Sequence, residues 1–141
     1  MHYFFIIVIW LLSMSTARAD CWLQAEKMFN IESELLYAIA QQESAMKPGA
    51  IGYNRDGSTD IGLMQINSFH MKRLKKMGIS EKQLLHDPCI SVIVGASILS
   101  DMMRIYGYSW EAVGAYNAGT SPKRADIRKI MLKKFGRITK N

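Results

Sequence analysis

The chain has 141 residues, 49% of them hydrophobic, with 18 basic and 12 acidic side chains and a formal net charge of +6. Its length leaves room for one domain around a single modest core, with no repeats, low-complexity segments or interdomain linkers. The basic surplus suits an anionic polymer as partner, but it also serves solubility or weak attraction to lipid, so charge alone does not choose.

Met1 and His2 lead into an apolar run from Tyr3 to Leu12, then polar Ser13–Thr16 and Ala17-Arg18-Ala19. A short apolar core before an A-x-A-like site predicts a secretory signal peptide over residues 1–19, cut after Ala19, although the amino-terminal region is weak in charge. A retained anchor is the alternative. A spanning helix needs about 20 apolar residues, however, and this run is shorter. Cleavage leaves residues 20–141, net charge +5, outside the cytoplasm and with no stable membrane span. Export disfavours nucleic acid as a partner.

Cys21 and Cys89 are the only cysteines. In an oxidising compartment they allow one intramolecular disulfide, with two free buried thiols as the alternative. Closing a loop of that size is worth about 4 kcal/mol on the chain-entropy estimate. His70 and His86 lack metal-ligand spacing relative to the cysteines or to each other, so no metal or other cofactor is expected.

Along the exported part, Cys21–Phe29 reads as a short amphipathic helix, and Ser33 is placed to cap a second helix running to about Met46, stopped by Pro48 and Gly49. From Ala50 to Asn67, Gly52, Gly57, Gly62 and the Asn54–Ser58 turn cluster predict a loop or small hairpin. Helical spacing resumes over Ser68–Met77, ending at Gly78. Ser80-Glu81-Lys82-Gln83 has the form of a capping box. Asp87-Pro88 opens the longest apolar helix, running to Gly107, which is the expected core helix. Ser109 caps Trp110–Tyr116, and Ser121-Pro122 starts a last basic helix. The expected architecture is mostly α, a compact helical domain with a small β-hairpin or loop flap.

Glu43 follows Leu36, Ile39 and Ala40 by seven, four and three positions and so shares their helix face. A carboxylate beside an apolar wall at the negative end of a helix dipole is expected to have a raised pKa, as a general acid needs. The plain alternative is a half-exposed Glu at a fraying helix end. Asp60 lies in the glycine-rich insert, seventeen residues on. An acid on a helix facing an acid on a flap is the arrangement used for glycoside cleavage. A turn Asp is otherwise an Asx-type capping residue, and spacing leaves both readings open.

Gln42-Glu43-Ser44, Gly62-Leu63-Met64-Gln65-Ile66-Asn67 and Ala115-Tyr116-Asn117-Ala118-Gly119 resemble, in order, the three motifs of the family 1, Slt-type lytic transglycosylases. The resemblance covers Cys21 to Arg128. Within that family the chain is most similar to the small IagB/IpgF-type enzymes associated with type III secretion systems, which have a signal peptide and a similarly placed cysteine pair. It implies a lysozyme-like α+β fold, a periplasmic location and peptidoglycan glycan strands as substrate, with type III secretion components as further partners. Glu43 then corresponds to the single catalytic acid/base, and Ser44, Met64, Gln65, Tyr116 and Asn117 to groups lining the site. Each has a structural alternative: Met64 as core, Gln65 as a backbone-capping amide, Tyr116 and Asn117 as a helix end.

The implied reaction cleaves the β-1,4 bond between N-acetylmuramic acid and N-acetylglucosamine without water, leaving 1,6-anhydromuramoyl ends. Asp60 departs from that single-acid pattern. The stretch Asp56–Asn67 also resembles animal C-type lysozymes, in which the matching Asp is the second catalytic carboxylate. A hydrolytic muramidase using Glu43 and Asp60 is therefore the runner-up. A non-catalytic peptidoglycan-binding secretion component is the rival from another class, disfavoured by the retention of Glu43. The basic tail over residues 129–141 is shorter than in relatives and reads as a solvated segment or a contact to a partner or the wall.

Overall fold

A computed structural model describes residues 16–117. Most of the predicted signal peptide, the helix expected from Ser121 and the basic tail lie outside these residues. The chain divides into two compact units, Met1–Val94 and Gly95–Asn141.

In the first unit, helix α1 spans Thr16–Phe29. It starts five residues before the expected Cys21 and runs through the expected cleavage site, since Ala17, Arg18 and Ala19 favour helix and no Gly or Pro interrupts. Asn30, at φ 55°, ends it with its N–H on the Glu26 carbonyl at 2.7 Å. Helix α2 spans Ser33–Ser44. Its N-cap is Glu32 rather than Ser33: the Glu32 carbonyl accepts from Leu35 and Leu36, and no side chain caps the turn. It stops two residues short of Met46 because Ala45 (φ 51°) and Met46 (φ 63°) are both left-handed. Their N–H groups return to Gln41 and Ala40 and satisfy the last carbonyls.

The glycine-rich insert forms β1 (Ile51–Tyr53), β2 (Thr59–Ile61) and β3 (Ile66–Asn67), an antiparallel sheet in the order β1-β2-β3. This is one strand more than a hairpin. Ile61 pairs with Ile51 and Ile66, while Asp60 pairs with Gly52 and Asn67. The sheet therefore has one apolar face, with Ile61 and Ile66 buried, and one polar face centred on Asp60.

The helix expected over Ser68–Met77 is a 3₁₀ turn, Ser68–His70, followed by α3, Met71–Lys76. Asn67 accepts from the Phe69 N–H and sets that tighter start. The Ser80/Gln83 capping box opens α4, Glu81–His86. Helix α5 spans Pro88–Tyr106, with Asp87 Oδ1 accepting from the N–H groups of Cys89 (3.0 Å) and Ile90 (3.2 Å). By length and composition it could cross a membrane. Burial of Ser91, Val92, Val94, Ala96, Ile98 and Leu99 instead reads as a core helix. Helix α6, Trp110–Asn117, is capped by Ser109, which accepts from the Ala112 N–H, as its sequence predicts.

The core of the first unit includes Ile31, Leu36, Ile39, Met64, Ile66, Leu84 and Val92; the second unit buries Ala96, Leu99, Trp110, Ala112 and Val113. A disulfide joins Cys21 of α1 to Cys89 of α5, with the Cα atoms 5.3 Å apart. Mostly helical with a small antiparallel sheet, the chain has the expected lysozyme-like character.

Candidate active site

Glu43 sits in the last turn of α2. Leu36, Ile39 and Ala40, its neighbours on that face, are buried, while Glu43 itself is half-buried. Glu43 thus continues an apolar helix face into its last turn. Ser44, the next residue, is 7% exposed and cannot present its hydroxyl to solvent. That hydroxyl lies 2.7 Å from the Leu63 carbonyl and 3.1 Å from the Ala40 carbonyl. It ties the turn carrying Glu43 to the segment directly after β2.

That segment is built on Gly62. Its φ is +77°, its N–H donates to the Ala50 carbonyl at 2.7 Å, and a Cβ there would stand 2.3 Å from the Leu84 carbonyl oxygen. Only glycine fits so close a backbone approach. Met64 is fully buried, and its N–H donates to the Ser91 hydroxyl of α5 at 3.1 Å. Gln65, left-handed at φ 51°, donates through Nε2 to the Ala50 carbonyl (3.1 Å) and the Gly62 carbonyl (3.0 Å). Both amide hydrogens therefore brace the backbone. Its Oε1 lies over Gly52, 3.0 Å from where a Cβ would be, and Asp60 Oδ2 is 3.7 Å from the same point. Gly52 makes the space in which Gln65 and Asp60 stand side by side.

Asp60 is held on both oxygens. Asn54 Nδ2 donates to Oδ2 at 3.0 Å, and Asn67 Nδ2 donates to Oδ1 at 2.9 Å. The second hydrogen of each amide goes to the Ser58 hydroxyl oxygen, at 3.1 Å in both cases. Ser58 in turn donates its own hydrogen to Asp56 Oδ1 at 2.6 Å. This hydroxyl bond, with the Ser58 N–H at 2.9 Å, holds the exposed Asp56 carboxyl below its ordinary value of 3.8. The network fixes the orientation of both amides and presents Asp60 as a stationary acceptor.

The first unit thus brings together Ser44, Asp60, Met64 and Gln65, with Glu43 on the anchored turn. Tyr116, half-buried, and Asn117 belong to the last turn of α6 in the second unit. Sequence reasoning missed Asn54, Ser58 and Asn67 as the clamp on Asp60, and Ser91 as the anchor of Met64. Asn54 and Asn67 lie six and seven residues from Asp60, one after β1 and one on β3, so it is the strand pairing that brings them to it. A lone serine on the buried face of an apolar helix is a weak signal.

Residues 20–137 match the family described as the transglycosylase SLT domain. The chain is 92% identical over 135 residues to "Invasion protein IagB" of Salmonella typhimurium (strain SL1344), covering 96% of this chain and 84% of that protein. It is 54% identical over 111 residues to "Protein IpgF" of Shigella flexneri, covering 79% and 73%. A "Putative peptidoglycan-binding-like protein" of Escherichia coli (strain K12) is 42% identical over 122 residues, covering 82% and 77%. The chain therefore belongs to the transglycosylase SLT family and is a lytic transglycosylase with peptidoglycan as its substrate.

Proposed function

We propose that the chain cleaves the β-1,4 bond between N-acetylmuramic acid and N-acetylglucosamine by a single-acid route through Glu43, leaving 1,6-anhydromuramoyl ends. The Glu43 carboxyl protonates the leaving glycosidic oxygen while the substrate's own 2-acetamido carbonyl oxygen attacks the anomeric carbon. Ionised Glu43 then takes the proton of the muramoyl C6 hydroxyl. O6 displaces the acetamido oxygen from the anomeric carbon and closes the anhydro ring, so no water enters and Glu43 ends protonated.

The observation that carries this reading is the match of residues 20–137 to the transglycosylase SLT family, with Glu43 on a turn anchored through the Ser44 hydroxyl. The amide clamp on both oxygens of Asp60 keeps that carboxylate as a fixed negative charge, which in a single-acid route acts electrostatically. Ser44 and Gln65 act as positioning residues, and Met64 is the buried floor of the turn. Tyr116 and Asn117 are assigned to the groups lining the site on the resemblance of the third motif alone. The hydrolytic alternative, with Asp60 as second catalytic carboxylate, is favoured by the resemblance of Asp56–Asn67 to C-type lysozymes and by the position of Asp60 on the polar sheet face.

Glu43→Gln should abolish release of muropeptides from sacculi. Mass analysis of the wild-type products separates the routes, because an anhydro end is one water lighter than a reducing end. A reducing end would overturn the proposal. We place the enzyme in the periplasm after removal of residues 1–19, a reading supported by the leader pattern and by a substrate outside the cytoplasm. The name of the Salmonella relative, "Invasion protein IagB", supports a role in invasion, and opening the wall for a type III secretion apparatus is the form we give it.

A further inference from the structure

Four of the 18 basic residues fall within five positions of α3: Lys72, Arg73, Lys75 and Lys76, all exposed. Met71 and Leu74, three apart on the opposite face, are buried and fix that face inward. From Ile61 to Ser80 the sequence holds no acidic residue. The patch is flanked by two exposed apolar side chains, Phe69 (85%) and Met77 (67%). It is also continuous with the flap, because Asn67, which clamps Asp60, caps the 3₁₀ turn that leads directly into α3.

From this placement we propose that the outer face of α3 is an exosite for the acidic peptide stems of peptidoglycan. The proposal rests on peptidoglycan being the substrate. Each muramoyl residue bears a stem with free carboxylates, so a strand crossing the flap repeats negative charge along its length. A basic face beside the flap gathers that charge and raises the local concentration of glycan at the site. Phe69 offers an apolar face beside it for the sugar or lactyl groups. An anionic lipid surface shares the charge but not the continuity with the flap. The apolar residues of α3 that would enter a membrane, Met71 and Leu74, are already used in the core.

The test uses the full chain with Lys72→Gln, Lys75→Gln and Lys76→Gln combined. These positions are exposed, so folding should be unaffected, and a thermal melt checks it. Binding is read by co-sedimentation with intact sacculi in a Glu43→Gln background, so that the polymer survives. Three exposed charge pairs, each worth a factor of about two, should weaken binding by roughly tenfold. The difference should vanish at about 0.5 M salt, where screening acts over a few ångströms. It should vanish too on sacculi whose carboxylates have been converted to neutral amides. Cleavage of naked glycan strands, stripped of stems, should be the same for the triple variant and for the chain with native lysines. Equal binding of the two to intact sacculi would overturn the exosite. So would a preference for anionic phospholipid vesicles over sacculi. Reducing ends in place of anhydro ends on the products of naked strands would instead sink the chemistry proposed above, leaving the binding result to stand by itself.

Discussion

The Ser44 hydroxyl lies 2.7 Å from the Leu63 carbonyl oxygen, joining the helix turn that carries Glu43 to the strand end that follows Asp60. Both groups are buried or nearly so. Ser44→Ala removes the donor and leaves a buried carbonyl short of its partner, a loss of about 1–3 kcal/mol. Urea unfolding should show a lower midpoint. Because Ser44 positions rather than contacts the sugar, kcat should fall with little change in KM on soluble glycan strands. A raised KM with kcat intact would return Ser44 to the substrate-lining role that its motif suggests.

Gly62 and Gly57 have nearly the same backbone, φ +77° and +84°, in different surroundings. At Gly57 a Cβ meets nothing within 4 Å, whereas at Gly62 it meets the Leu84 carbonyl oxygen at 2.3 Å. Gly57→Ala should therefore cost only the left-handed strain, about 1–2 kcal/mol. Gly62→Ala adds a backbone collision that only displacement of the flap or of α4 can relieve, and should exceed about 4 kcal/mol. Chemical unfolding of the two variants measures the difference. Equal losses would mean that the flap yields freely.

The helices were legible because their signals are local. The Ser80/Gln83 capping box, the Asp87-Pro88 start and the Ser109 cap each act within a few residues, and each forms as the sequence predicts. The errors lie where a distant partner or an unusual backbone decides. Met46 belongs to α2 by composition, but two successive left-handed residues end that helix at Ser44. Nothing near Ser33 in the sequence says that Glu32 takes the cap. At the site, the amide hydrogens of Gln65 go to the carbonyls of Ala50 and Gly62, and its Oε1 stands with Asp60 over Gly52. The partners of Ser44 and Met64 lie 19 and 27 residues away, and no local pattern encodes them.

The Cys21–Cys89 disulfide closes a span of 68 residues that contains Glu43, Asp60 and the whole flap. Constraining so long a loop in the unfolded chain is worth about 4 kcal/mol on the entropy estimate. The double variant Cys21→Ser, Cys89→Ser should lose a large part of that and melt on the order of 10 °C lower. Calorimetry with and without reductant checks it, because only the wild type should respond to reduction. If reduction left the wild-type transition in place, the bond would contribute nothing to the stability of the folded chain.

Asp60→Asn separates the two chemical roles open to that carboxylate. The substitution keeps the shape but offers one acceptor oxygen and one amide nitrogen to two donating asparagines, so it removes the charge and one of the two clamps. If Asp60 stabilises the cation electrostatically, kcat should fall by about a hundredfold while the products remain anhydro-ended, because the acetamido and C6 hydroxyl steps do not pass through it. If Asp60 forms a covalent bond to the sugar, turnover should vanish and the wild type should yield reducing ends. Asn67→Ala sharpens the comparison: it leaves the charge but frees Oδ1 and uncaps the Phe69 turn. A fixed charge should then lose part of its effect through motion, giving an activity between wild type and Asp60→Asn.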